Sequence, residues 1–120
     1  MAPDIPRSRT SPLYGSLDLL ILNVLQRDGP LHGLEIADQI RERSEDHLKI
    51  EEGALYPALH RLQRQGLLLN EWRVSDKGRR AKFYDLSPSG SAALEEEIDR
   101  WRSHTRAVGR VLDVPVERLP

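Results

Sequence analysis

The stretch EEGALYPALHRLQRQGLL, Glu51 to Leu68, decides how the chain is read. Leu55, Leu59, Leu62 and Gly66 recur at steps of four, three and four. At about 100° per residue they fall on one stripe of a helix. Pro57, His60, Arg61 and Arg64 project from the other side, with Tyr56 and Gln63 on the flank, and no carboxylate stands between Gly53 and Leu68. One face is made for a core, and the other is cationic and rich in hydrogen-bond donors. Pro57 predicts a helix start near Glu52, because its missing amide hydrogen is tolerated early in a helix but costs about 3 kcal/mol in the middle.

The rest of the chain sets the frame for that helix. Its 120 residues fit one modest domain with an extra element. Net charge is −1, so affinity for a polyanion must come from local segregation of charge. Segregation is present: between Gly53 and Tyr84 seven Lys or Arg face two acids, Glu71 and Asp76, while Glu95, Glu96 and Glu97 cluster elsewhere. The chain has no cysteine, which removes disulfides, thiolate catalysis and cysteine-ligated zinc and fits a reducing cytoplasm. The most apolar run, LDLLILNVL, is broken by Asp18 and Asn23 and is far shorter than the roughly 20 residues of a bilayer span, so no membrane role is expected. With no signal-peptide pattern at the N-terminus, a cytoplasmic location is expected.

Along the chain, residues 1–12 carry three prolines and little to bury, and read as a flexible tail in which Arg7 and Arg9 are the only candidate phosphate contacts. A first helix is expected to enter at Gly15 or Ser16 and stop at Gly29 and Pro30. Leu17, Leu20, Ile21 and Val24 form its core stripe, whereas Leu19 and Leu22 lie on a second face that points to a partner chain. HGLEIADQIRERS forms a second helix with Ile36, Ala37 and Ile40 inward, followed by a polar connection anchored by Leu48 and Ile50. After Gly66, LLLNEWRV and AKFYDL flank an Asp-Lys-Gly turn and predict a hairpin whose tip carries Lys77, Arg79 and Arg80. Ser87 as N-cap and Pro88 at the first position open a last helix to about Val111. In it Leu94, Ile98, Trp101, Thr105, Val108 and Leu112 alternate steps of four and three, as a dimer seam does. Packing on its own domain is the competing reading of that seam.

The fold class is therefore mainly α with a β-hairpin: a winged helix-turn-helix domain over 13–86, a C-terminal dimerisation helix over 87–113 and a tail over 114–120. In such a fold one helix enters the major groove and the hairpin, or wing, lies along the phosphates. The expected DNA contacts are Gly53, Ala54, Tyr56, Pro57, His60, Arg61 and Arg64 on the helix and Lys77, Arg79, Arg80 and Lys82 on the wing.

The segments LDLLILNVL, LHGLEIADQI, GALYPALHRLQRQGLL, GRRAKFYDLSPSG and AALEEEIDRW, in that order and spacing, resemble the PadR-like regulators. The likeness covers roughly Leu13 to Leu112, and LYPALHRL leading into GLL is its most specific part. Phe83 and Leu34 stand where aromatic or tyrosine residues are common in the family. The resemblance implies a dimeric bacterial transcription factor of the short-tailed branch, usually a repressor, with double-stranded DNA as partner. It also implies a small effector. Trp72 and Trp101 are the candidates to line a site for a small aromatic or hydrophobic molecule, with plain packing as the alternative.

Two other readings compete. His32, His47, His60 and His104 lie on different elements without paired ligand spacing, and no glycine-rich phosphate loop or nucleophile elbow is apparent, so no enzymatic activity, no metal and no cofactor are expected. A winged helix used only for protein contacts is the second alternative, and the basic wing counts against it.

Overall fold

A computed structural model describes residues 12–114, with side chains from Ser16 onward. The expected tails, 1–12 and 114–120, lie outside the described residues except at Pro12 and Val114. In chain order the elements are α1 (Pro12–Asp28), β1 (Leu31–His32), α2 (Gly33–Arg43), α3 (Glu52–Arg64), β2 (Leu68–Val74), β3 (Arg80–Leu86) and α4 (Pro88–Leu112). Helix α1 begins at Pro12, ahead of the expected Gly15 or Ser16, and a proline is accommodated at a first helical position. Among the described residues no helix is long and apolar enough to cross a membrane.

Local chemistry sets the helix ends. His32 caps α2 through a reciprocal pair: its Nδ1 accepts from the Glu35 amide at 3.4 Å, and its own amide donates to Glu35 Oε1 at 3.1 Å. Helix α3 closes with Gly66 at φ +78°, the Gly66 amide donating to the Gln63 carbonyl and the Leu67 amide to the Leu62 carbonyl. That double closure needs a left-handed residue, which glycine supplies without strain. Ser87 caps α4 by accepting from the Gly90 amide at 2.9 Å, and its hydroxyl donates to the Gly66 carbonyl at 2.7 Å. One side chain thus joins the start of α4 to the end of α3.

The sheet has three antiparallel strands in the order β1-β3-β2, so β3 is central and β2 is an edge. Strand β1 escapes sequence reading because its two residues acquire meaning only by pairing, Leu31 with Tyr84 and His32 with Phe83. In the hairpin Leu68 pairs with Leu86 and Val74 with Arg80. Leu68 is the only buried residue of β2, so most of this strand stands clear of the core.

The core gathers Leu17, Ile21, Leu22, Val24 and Leu25 of α1, Ile36 and Ile40 of α2, Leu55, Leu59 and Leu62 of α3, Leu68, Tyr84 and Leu94. Two expectations for the dimer surface are corrected here. Leu22 and Leu94 are 2% and 0% exposed within a single protomer, so neither is left for a partner. The reason is that α1 packs against α2, α3, β3 and α4 of its own chain, and both of its apolar faces find neighbours there. Leu19 is half-buried and rests on the core, as does Ile98. Ile50 anchors the loop after α2 as expected, whereas Leu48 is exposed.

Candidate nucleic-acid interface

Helix α3 shows its polar side where the wheel places it. Gly53, Ala54, Pro57, His60 and Arg64 are exposed, opposite buried Leu55, Ala58, Leu59 and Leu62. At the N-terminus Glu51 occupies the cap position in an extended conformation without a side-chain capping bond. No side chain of the cap residue therefore competes for the first amides of α3, of which the Ala54 amide donates to the Glu51 carbonyl at 3.0 Å. Nothing lies within 4 Å of where a Gly53 Cβ would stand, so the backbone there can approach another surface closely. Pro57 has no amide hydrogen, which leaves the Gly53 carbonyl without its usual helical donor.

Two of the expected DNA contacts, Arg61 from the outer face and Tyr56 from its flank, are engaged within the chain. Arg61 turns toward α1, where its Nη2 donates to Asp18 Oδ1 at 2.5 Å with both side chains 30% exposed. It lies on the α1 side of α3, about 70° away from the line of Gly53, Pro57, His60 and Arg64 on the wheel, close enough to the core for a carboxylate 43 positions earlier to hold it. Burial pushes the Asp18 carboxyl above its ordinary range, Arg61 pulls it back, and Glu97 of α4 pushes in the same direction as burial. Tyr56 is half-buried against the start of α2: a Cβ on Gly33 would come within 2.7 Å of its hydroxyl oxygen. Burial, followed by the nearby Glu52 carboxylate, raises the Tyr56 phenol. Tyr84, fully buried, is raised by its own burial and then by Tyr56.

In the wing Ser75 to Arg79 form the turn, with the Gly78 amide donating to the Ser75 carbonyl at 2.9 Å and Gly78 at φ +79°. Lys77, Arg79 and Arg80 are exposed. Lys82 is half-buried, its ammonium 5.8 Å from the centre of the Tyr84 ring. Residues directly opposite across the ladder share a face. Asn70, Trp72, Val74, Arg80 and Lys82 thus lie on the Tyr84 face, which is the face next to Tyr56 of α3. Leu69, Glu71, Arg73, Phe83 and Asp85 lie on the other, where Arg73 pairs with Glu71 at 2.5 Å and sits 5.3 Å over Phe83.

The two tryptophans are not brought together as an effector site. Trp72 is 58% exposed on the wing, while Trp101 is half-buried on α4 with its ring 6.1 Å from that of His104. A cleft of about 360 Å³ opens between α1 and the start of α4, lined by Leu25, Gln26, Asp85, Ser87 and Ser91 among others, and neither tryptophan lines it. Among the described residues no three His, Asp or Glu side chains converge as a metal-ligand set.

Three helices, one of them with an exposed polar face, and a basic hairpin beside that face define a winged helix-turn-helix protein. The family model for the Transcriptional regulator PadR-like family matches residues 21–96. The chain is 40% identical over 70 residues to a transcriptional regulator of Mycobacterium tuberculosis, an alignment covering 58% of this chain and 62% of that relative. It is also similar to the structure of a PadR family transcription regulator from Clostridium difficile, with 32% identity and a TM-score of 0.68 over 80% of this chain and 97% of that one. A transcriptional regulator from Clostridium thermocellum superposes with a TM-score of 0.74 at 26% identity, over 82% of this chain and 94% of the other. The chain belongs to the PadR-like family of transcriptional regulators.

Proposed function

We propose that the chain is a DNA-binding repressor that acts as a homodimer on an inverted-repeat operator. The observation that carries this reading is the exposed stripe of Gly53, Pro57, His60 and Arg64 on α3, set beside a wing face whose only charged side chains are cationic. His60 and Arg64 meet base edges, Gly53 and Ala54 let the helix start approach a phosphate, and Lys77, Arg79 and Arg80 meet the backbone. Arg61 instead fixes α3 to α1. Dimerisation uses the outer part of α4, where Val108, Val111 and Leu112 are 40%, 85% and 64% exposed. Two domains so paired read half-sites about one helical turn apart, and a dimer seated on a promoter represses by exclusion. Trp101, half-buried on that same helix, is where an aromatic or hydrophobic effector would alter the pairing.

Binding selection on randomised duplexes tests the proposal. A palindromic motif is expected. Arg64→Ala costs about 1 to 3 kcal/mol on the best sequence with relaxed preference at one position per half-site, as for a bidentate contact to guanine. Replacing Lys77, Arg79 and Arg80 by Ala flattens the log–log salt dependence by about 0.9 for each phosphate that no longer meets a cation. A protein that enriches no duplex over the random pool overturns the proposal.

A further inference from the structure

Trp72 serves no core. It is 58% exposed, and Val74, next on the same face of the strand, is 68% exposed. A buried tryptophan supplies one of the largest apolar contributions available to a fold, about 150 to 250 Å² of surface, and here that surface is left in water at the edge of a sheet. The Arg80 guanidinium carbon lies 4.9 Å from the centroid of the ring, a cation–π contact that holds Arg80 alongside the indole.

Charge on the two faces of the hairpin is sorted. The face with Trp72 carries Arg80 and Lys82 and no acid, whereas both strand carboxylates, Glu71 and Asp85, lie on the other face with Arg73. The sorted face also abuts α3, through Tyr84 and Tyr56. An exposed apolar wedge with an arginine stacked beside it, on a strand face that bears Arg80 and Lys82 and no carboxylate, is complementary to a polyanion that also offers apolar edges. The DNA minor groove is such a surface: apolar side chains wedge at deformable base steps there, and arginine is drawn to the groove where it narrows.

We propose that Trp72 is a minor-groove reader. Its indole packs against the sugar edges and a flexible base step flanking each half-site, with Arg80 held beside it at the rim of the groove against the flanking phosphates, so that the wing contributes sequence preference as well as charge. This rests on the DNA-binding function proposed above and goes beyond it in assigning selectivity to the wing.

The test compares the unaltered protein with Trp72→Ala, Trp72→Phe and, as a control on the opposite face, Leu69→Ala. All four are subjected to selection on duplexes randomised across and beyond the half-sites. Trp72→Ala is expected to weaken the selected site about tenfold, the size of one aromatic–base contact. It should also lose preference in the flanks, leaving the centre of the motif and the salt slope unchanged because no cation has been removed. Trp72→Phe keeps the flanking preference, and Leu69→Ala changes nothing. DNA-dependent quenching of tryptophan emission is expected in the unaltered protein and absent in Trp72→Phe. Flanking preferences that persist in Trp72→Ala overturn the inference while leaving the DNA-binding proposal standing. So does a change in oligomeric state in Trp72→Ala with unaltered DNA preference, which would make a second copy of the chain the occupant. Failure of the unaltered protein to select any duplex removes the DNA-binding reading itself.

Discussion

The two halves of α4 carry the same repeat and have opposite fates. Leu94 is fully buried and Ile98 rests on the core, while Val108 is 40% and Leu112 64% exposed, although all four belong to one series of steps of four and three. Periodicity identifies a face that must be covered and is silent about what covers it. In the first half the cover is the chain's own α1; in the second, Val108 and Leu112 stand exposed on the single protomer. The boundary falls near Trp101 and Thr105, both half-buried, with the Thr105 hydroxyl turned back to donate to the Trp101 carbonyl at 3.0 Å.

Substitutions that separate the halves test this division. The largest effect is expected from Val108→Asp combined with Leu112→Asp. Each places a charge where the proposed interface is apolar, and central interface side chains are worth about 2 kcal/mol or more apiece. Light scattering at micromolar concentration should show monomers with the helical circular dichroism of the parent. A monomeric parent would falsify the assignment of this half to dimerisation. Next in size, Leu94→Ala should cost about 2 to 5 kcal/mol of folding stability through the cavity it leaves, read by denaturant unfolding. Gly90→Ala follows at about 1 to 3 kcal/mol, because the added Cβ would stand 2.1 Å from the Leu67 carbonyl oxygen and push α4 away from the end of α3. Thermal unfolding of Gly90→Ala at the parental midpoint would show that this junction yields freely.

Features held by neighbours in sequence are legible. The Ser87-Pro88 start of α4, the Gly66 closure of α3, the turn at Gly78 and the His32-Gly33 opening of α2 each depend on a few consecutive residues. The exposed line of Gly53, Pro57, His60 and Arg64 is legible for the same reason. What escapes the sequence depends on distant partners. Leu22 reads as a contact to a second chain because α4 closes over α1 only in three dimensions, and strand β1 exists only through its pairing with β3. Arg61 reads as a DNA contact because no local pattern reveals a carboxylate on another helix. Trp72 reads as an effector candidate because composition cannot tell a tryptophan that lines a cavity from one that stands free.

The smallest expected effect is at the Asp18–Arg61 pair, which lies where the inner half of α4 meets α1. Burial, the largest influence, raises the Asp18 carboxyl above its ordinary value of 3.8 despite the Arg61 hydrogen bond, and Glu97 of α4 adds to the rise. An acid whose value is raised in the folded state holds its proton more tightly there than in the unfolded chain. Its contribution to stability is full below 3.8 and declines as pH rises through the elevated folded value. The ion pair therefore does not fully offset the desolvation of its carboxylate. Asp18→Asn should change stability at neutral pH by less than about 1 kcal/mol, since both side chains remain partly in solvent. Relative to this variant, the parent should lose stability as pH is raised from 3.8 across the window just above it. Glu97→Gln should narrow that window, because it removes the charge from α4 that contributes to the shift. Arg61→Ala is the informative contrast, as it leaves the half-buried carboxylate without its cation and should cost more than Asp18→Asn. Parallel pH profiles for the parent and Asp18→Asn would mean that the Asp18 carboxyl is not desolvated in solution, and would remove burial as the cause of its shift.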